Sequence, residues 1–227
     1  MEELVPAFEE SVFCDFEDFG SDILEVGIDS VLTDGFFKNL PFFSLVVGAK
    51  RVYSSIRERN LLRNTAIFIN SLNRKAIPTE IVDEYRRKLQ DKKQAEKELG
   101  RVMVLLDQYV DSLKSKLLAV FYGKYINQEY VWEKFCELSD ILSRLFLEDI
   151  SYLSRINDSD NSTATYHIYK IPYNLKRLEG IGLVEIFGEY TRFGNQLLQS
   201  ETMCAQLTET GKIFLAVINE TGEGTGI

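Results

Sequence analysis

The sequence predicts a mainly α fold: a helical bundle followed by a small α+β module. Three observations carry this. Apolar residues recur every three or four positions through the middle of the chain, most clearly at Leu99, Val102, Leu106, Tyr109, Leu113, Leu117 and Val120. No stretch before residue 166 alternates apolar and polar residues as a half-buried strand would. The chain then changes character, with NLKRLEGIGLVEIFGEY followed, after a polar gap, by MCAQLTETGKIFLAVI.

In order, residues 1–20 are acidic and aromatic with little periodicity, and read as an arm, either docked or mobile. Ser21 caps a helix through Leu24, Ile28, Val31 and Leu32, which Asp34-Gly35 ends. Pro41 suits a helical first turn, having no N–H to lose. An apolar stripe follows at Leu45, Val46, Ala49, Val52, Tyr53 and Ile56, and a further helix passes Leu62, Ile67 and Leu72 to end near Asn73. Pro78-Thr79 opens a segment with Ile81, Val82, Tyr85 and Leu89 inward and Arg86, Arg87, Lys88, Lys92 and Lys93 outward. The helix through residues 99–120 stops at Gly123. Asn127 caps its successor, lined by Val131, Phe135, Leu138, Leu142, Leu145 and Phe146. The bundle covers 21–150, and the polar run 157–165 is the best domain boundary.

The module over 151–220 is legible in more detail. Tyr173 to Leu178 is a short amphipathic helix stopped by Gly180 and Gly182. Leu183 to Phe187 is an apolar strand to which Thr202 to Leu207 can pair back. Thr208 is a good N-cap for a last helix, since its hydroxyl can accept an orphan backbone N–H. Helix, strand, polar wing, strand, helix is the order of a winged helix. Residues 221–227 read as a frayed tail.

Composition bounds the function. The chain has 227 residues, 45% hydrophobic and 27% charged, with a net charge of −9; these are ordinary values for a globular protein. No apolar run approaches the roughly 20 residues needed to cross a bilayer, and the acidic start is unlike a signal peptide. Three scattered cysteines suit a reducing compartment. The cytoplasm is the expected location. Residues 1–50 carry eleven acids against Lys38 and Lys50, whereas residues 51–101 carry thirteen Lys and Arg against seven acids. The two parts either pack together, the favoured reading, or one meets a partner.

Catalytic chemistry is poorly served. The single histidine, His167, has no nucleophile in a recognised context, and it reads as a half-buried residue of a strand or helix start. Glu129, Glu133 and Glu137 share a helix face, which reads as solvated because bundle metal sites combine Glu with histidine. Neither GxGxxG nor GxxxxGK[ST] occurs, so no nucleotide or other cofactor is expected. For DNA or a protein partner the candidate contacts are Lys170, Asn174, Lys176, Arg177 and Arg192. The module is acidic overall, which disfavours DNA because phosphate neutralisation supplies most non-specific affinity. A second candidate is a basic surface at Arg57, Arg59 and Arg63. The acids interleaved with the basic stretch, Glu58, Glu80, Asp83, Glu84, Glu96 and Glu98, read as ordinary helix-surface pairing.

The segment SDILEVGIDSVLTDGFFKNLPFFSLVVGAKRVYSSIRERNLLRN resembles the N-terminal region of uncharacterised bacterial and prophage helical proteins. With the C-terminal module, the plan looks like the Abi-alpha type, named for a presumed role in abortive phage infection. The resemblance covers about residues 20–75 and brings no catalytic motif. It implies a setting of phage defence or mobile elements. The expectation is a non-enzymatic protein-interaction protein with another protein as partner. The alternatives are a winged-helix DNA-binding transcriptional regulator and a membrane-acting effector that exposes the helix at Leu40–Ala49 to anionic lipid. The oligomeric state is left open.

Overall fold

The computed structural model describes residues 3–13, 40–48, 56–74, 77–159, 163–167, 170–193 and 196–222. The helix expected from Ser21, the middle of the apolar stripe at 49–55 and the tail from 223 lie outside them. The chain is mainly helical with one small sheet, and it divides into two compact units, Met1–Cys136 and Glu137–Ile227. The division falls inside a helix, ahead of the polar run 157–165 and of the expected end of the bundle at 150.

The first unit contains α1 (Leu4–Val12), α2 (Pro41–Gly48), α3 (Ile56–Asn73), α4 (Thr79–Leu89), α5 (Lys92–Gln108), α6 (Ser112–Ile126) and the start of α7 (Trp132–Arg144). The core runs along α3 and α6. Six consecutive residues of α6, Leu117 to Tyr122, are buried, as are Ala66 to Ile69 of α3. A helix apolar all round belongs at the centre of its bundle. Within the N-terminal arm, Leu4–Val12 is a docked helix and not aperiodic. Its Val5, Phe8 and Val12 form one buried stripe, with the Phe8 ring 5.3 Å from Phe42 and 6.3 Å from Phe68 between centroids. Ser11 accepts the Phe42 N–H at 3.0 Å, satisfying an orphan donor of the first turn of α2. The docking is therefore chiefly apolar, although half-buried Glu9 feels the charge of Arg86.

Four expectations need correction in this unit. Residues 99–123 are two helices, because Tyr109 is extended (φ −72°, ψ 125°). Its carbonyl is taken by the Asn60 and Asn64 side chains of α3, at 2.6 and 2.7 Å. Gly123 does not stop α6, which continues to Ile126; a Cβ there would meet the Leu72 side chain at 3.3 Å, so the glycine permits close packing on α3. Asn127 closes α6 through its backbone N–H to Gly123 and does not cap α7. Ile56, at 89% exposure, opens α3 ahead of its buried face and ends no apolar stripe.

The second unit contains the rest of α7, a 3-10 turn (Leu147–Asp149), α8 (Ile150–Asn157), β1 (Thr163–His167), α9 (Tyr173–Gly180), β2 (Val184–Phe193), β3 (Gln196–Leu207) and α10 (Glu209–Glu220). Phe135, Leu138, Leu142 and Leu145 are buried as expected, but Val131 and Phe146 are exposed. They lie beyond the ends of α7, where helical spacing no longer assigns a face. The sheet is antiparallel in the order β1-β3-β2, with Thr163↔Gln206, His167↔Thr202 and Val184↔Leu207 in register. Residues 163–165, expected in the linker, are strand. So is most of the polar gap, where Tyr190↔Gln199 to Phe193↔Gln196 pair through backbone bonds that require no apolar alternation.

Local chemistry explains the joints. The α9 terminus closes with Leu183 N–H on Leu178 O and Gly182 N–H on Glu179 O, and Gly182 sits at φ +81°. That is a Schellman ending, which needs the left-handed conformation glycine adopts freely. Thr208 caps α10 as expected, accepting the Gly211 N–H at 3.0 Å and donating to Gly182 O at 2.7 Å.

Candidate functional site

Two groupings of side chains carry chemistry, one in each unit. In the second unit the five candidate contacts part company. Lys170 and Lys176 are exposed. Arg192 lies in β2 opposite Leu197. Asn174 and Arg177, however, turn toward a carboxylate. Asp149 is buried at 1% exposure at the end of the 3-10 turn, and it accepts Asn174 Nδ2 at 2.5 Å, Arg177 Nη2 at 2.5 Å and Arg177 Nε at 2.9 Å. The bidentate geometry matches the guanidinium fork to the carboxylate. That hydrogen bonding raises the Arg177 pKa further above its usual value.

The clamp has a second consequence. The guanidinium carbon lies 4.4 Å from the Phe146 ring centroid and 5.4 Å from that of Tyr173. Both rings are exposed, at 56% and 71%. A cation–aromatic stack held in place by Asp149 therefore stands at the surface. Asp149 and Phe146 were absent from the expected site. The signal for Asp149 was weak, a single carboxylate far along the chain from its cation.

The expected basic surface of α3 is not a surface of free cations. Arg57 is exposed but bonds Asp107 through Nε at 2.9 Å and through Nη2. The Arg57 hydrogen bond holds the Asp107 carboxyl below its usual pKa. Arg59 and Arg63 are half-buried, and the Arg63 Nε is enclosed without a hydrogen-bond partner.

Of the acids expected to pair at the helix surface, Glu98 is buried and centres the grouping of the first unit. The Glu98 side chain has no exposed area. Its Oε1 accepts Tyr125 OH at 2.7 Å, Gln94 Nε2, and Lys88 Nζ at 2.8 Å, while Oε2 accepts Tyr85 OH. Tyr85 OH lies 2.8 Å from Tyr122 OH, and since Tyr85 donates to Glu98 it accepts from Tyr122. Burial pushes the Glu98 carboxyl up, but the bonds from Lys88, Tyr85, Tyr125 and Gln94 outweigh it and leave the pKa below the ordinary value. The same burial, with the carboxylate as neighbour, drives Tyr85 and Tyr125 far above the usual phenol range, and burial does so for Tyr122. All three stay protonated as donors. The Lys88 ammonium also donates to Tyr125 OH and lies 5.6 Å from the Tyr85 ring centroid. Above this cluster a cleft of about 560 Å³ opens to solvent. The spacing could have revealed Glu98: Ala95, Leu99 and Val102 define the inner face of α5, and position 98 falls on it.

His167 is an exposed residue at the end of β1, not half-buried. Glu133 and Glu137 are exposed on α7; Glu129 precedes that helix and pairs with Lys124 at 3.2 Å, so the three do not form one helical row. Among the described residues no group of three or more His, Cys, Asp or Glu is placed to hold a metal ion, and no helix is long and apolar enough to cross a membrane. The apolar α2 has Phe42 and Phe43 buried. Comparison with protein-family models, curated proteins and solved structures returns no match for this chain.

Proposed function

We propose that the chain is a non-enzymatic interaction protein whose second unit, a winged-helix-like module, contacts another protein through the Phe146–Arg177–Tyr173 face. The observation that carries this reading is the Asp149 clamp. A helix that reads DNA offers Arg or Asn to bases and phosphates. Here the Asn174 amide and Arg177 guanidinium of α9 are spent on a buried carboxylate, and two exposed aromatic rings flank that guanidinium, Tyr173 of α9 and Phe146 ahead of the 3-10 turn. Exposed aromatic residues and a pre-ordered Arg are the residue types that dominate protein–protein binding energy. The sheet order β1-β3-β2, with α9 before β2 and α10 after β3, supports the winged-helix-like assignment. The setting we propose, phage defence or a mobile element, rests on the sequence resemblance of residues 20–75.

The test compares full-length protein with Tyr173→Ala, Phe146→Ala and Lys176→Ala. A partner recovered from the native host should be lost tenfold or more with either aromatic variant and retained with the lysine variant. Saturable binding of duplex DNA at physiological salt, abolished by Lys176→Ala and indifferent to Tyr173→Ala, would replace this reading with the regulator.

A further inference from the structure

We propose that the cleft between α4 and the turn following α6 binds an organic primary ammonium, whose charged group takes the place now held by the Lys88 ammonium. The site is independent of the face on the second unit. Its volume, about 560 Å³, falls in the range of small-molecule pockets, about 300–1,000 Å³. What marks it as a cation site is its floor. There Tyr85, Lys88 and Tyr125 line the cleft, and behind them a carboxylate with no exposed area, Glu98, accepts both phenol hydroxyls and the Lys88 ammonium.

That resident cation defines the geometry of the site. Lys88 Nζ bonds Glu98 Oε1 at 2.8 Å, donates to Tyr125 OH at the hydroxyl edge of that ring, and lies 5.6 Å from the Tyr85 ring centroid. Ring faces attract cations, and a buried carboxylate requires one. The occupant is not locked in. Its side chain is 46% exposed on the outer side of α4, so the ammonium can turn on its stem into water and recover its hydration. A ligand ammonium that replaces it leaves the charge on the floor unchanged, which makes the exchange an equilibrium between two cations of one kind.

The walls select the rest of the ligand. Ile81, Ile126, Tyr130 and Val131 line the cleft away from the floor and suit an apolar body; Glu84 adds a second acid. An anion meets two carboxylates and a lysine already engaged. A neutral molecule that displaced Lys88 would leave Glu98 buried without a counter-charge. A quaternary ammonium has no N–H for Glu98 or the Tyr125 oxygen, so a primary ammonium fits best.

Trp132 reports the site, since its ring lies 5.3 Å from that of Tyr125. The full-length protein and Lys88→Ala are titrated with benzylammonium, benzyltrimethylammonium and benzyl alcohol, following Trp132 emission. Removing the resident cation should tighten benzylammonium binding at least tenfold over wild type. Both comparison compounds should bind the variant at least tenfold more weakly than benzylammonium. Absence of saturable binding to Lys88→Ala, affinity no higher than wild type, or equal affinity for the alcohol would overturn the proposal. If circular dichroism shows that Lys88→Ala has lost helix, the wild-type titration decides. Saturable benzylammonium binding without benzyl alcohol binding supports the site, and no binding of either overturns it.

Discussion

Replacing Glu98 by Gln tests whether the buried cluster of the first unit depends on an ionised carboxylate. The carboxylate accepts two phenols, one amide and one ammonium. Gln keeps the shape and one acceptor but turns an NH₂ toward donors. Hydrogen bonds to a charged group contribute about 1.5–3 kcal/mol and neutral ones about 1 kcal/mol. Each phenol bond should therefore weaken by roughly 1 kcal/mol, and the Gln94 bond is lost or reversed. The Lys88 ammonium loses its charged partner, but its side chain, 46% exposed, can turn that group to water and limit the cost. With partial relief from no longer burying a charge, the expected loss at pH 7 is about 2–3 kcal/mol. At a urea m-value of about 2 kcal/mol/M this lowers the midpoint by roughly 1–1.5 M, read by the emission of Trp132, the only tryptophan.

The pH dependence fixes the mechanism. The folded pKa of Glu98 is lowered, so its contribution is complete above the unfolded-state value, about 4.3. It disappears as pH falls through the folded value. Other carboxylates titrate alike in both proteins and cancel in the difference. The margin of wild type over Glu98→Gln should be constant from pH 7 to about pH 5 and shrink below about pH 4. A margin as large at pH 3 as at pH 7, or no margin at pH 7, would refute the reasoning.

Two further outcomes follow from packing. Phe8→Ala should destabilise the first unit by about 3–5 kcal/mol, measured by urea denaturation, because Phe8 is fully enclosed against Phe42 and Phe68; a mobile arm would give almost no change. Gly211→Ala should cost the second unit about 3 kcal/mol, since its Cβ would stand 2.0 Å from the backbone oxygen of Leu183; amide exchange across β2 and β3 should accelerate, and protection equal to wild type would contradict the placement of α10.

The features legible in the sequence were those set by near neighbours. Thr208 as a cap, the glycine ending of α9 and the pairing of 183–187 with 202–207 each depend on local chemistry. The break at Tyr109 was not legible, because the reason for it lies on α3: two amides capture a carbonyl that a continuous helix would have used internally. Asn174 and Arg177 likewise carry the side chains expected of a nucleic-acid contact, and only the fold brings Asp149 beneath them. Glu98 is a different case. Its position on the apolar face of α5 was readable, but its neighbouring Lys97 and Glu96 made a solvated charge run the simpler account.

The Asn60 and Asn64 contacts also determine how the bundle can deform. Asn64 holds both Leu106 O, at 2.8 Å, and Tyr109 O, at 2.7 Å. Moving α3 by one residue would rotate those amides about 100° away, stranding two carbonyls with no gradual compensation. The contact works as a mechanical detent. Small strains elsewhere in the unit can be absorbed by side-chain adjustment, but sliding of α3 against the α5–α6 corner is quantised, and the unit should either hold this alignment or lose it in one step.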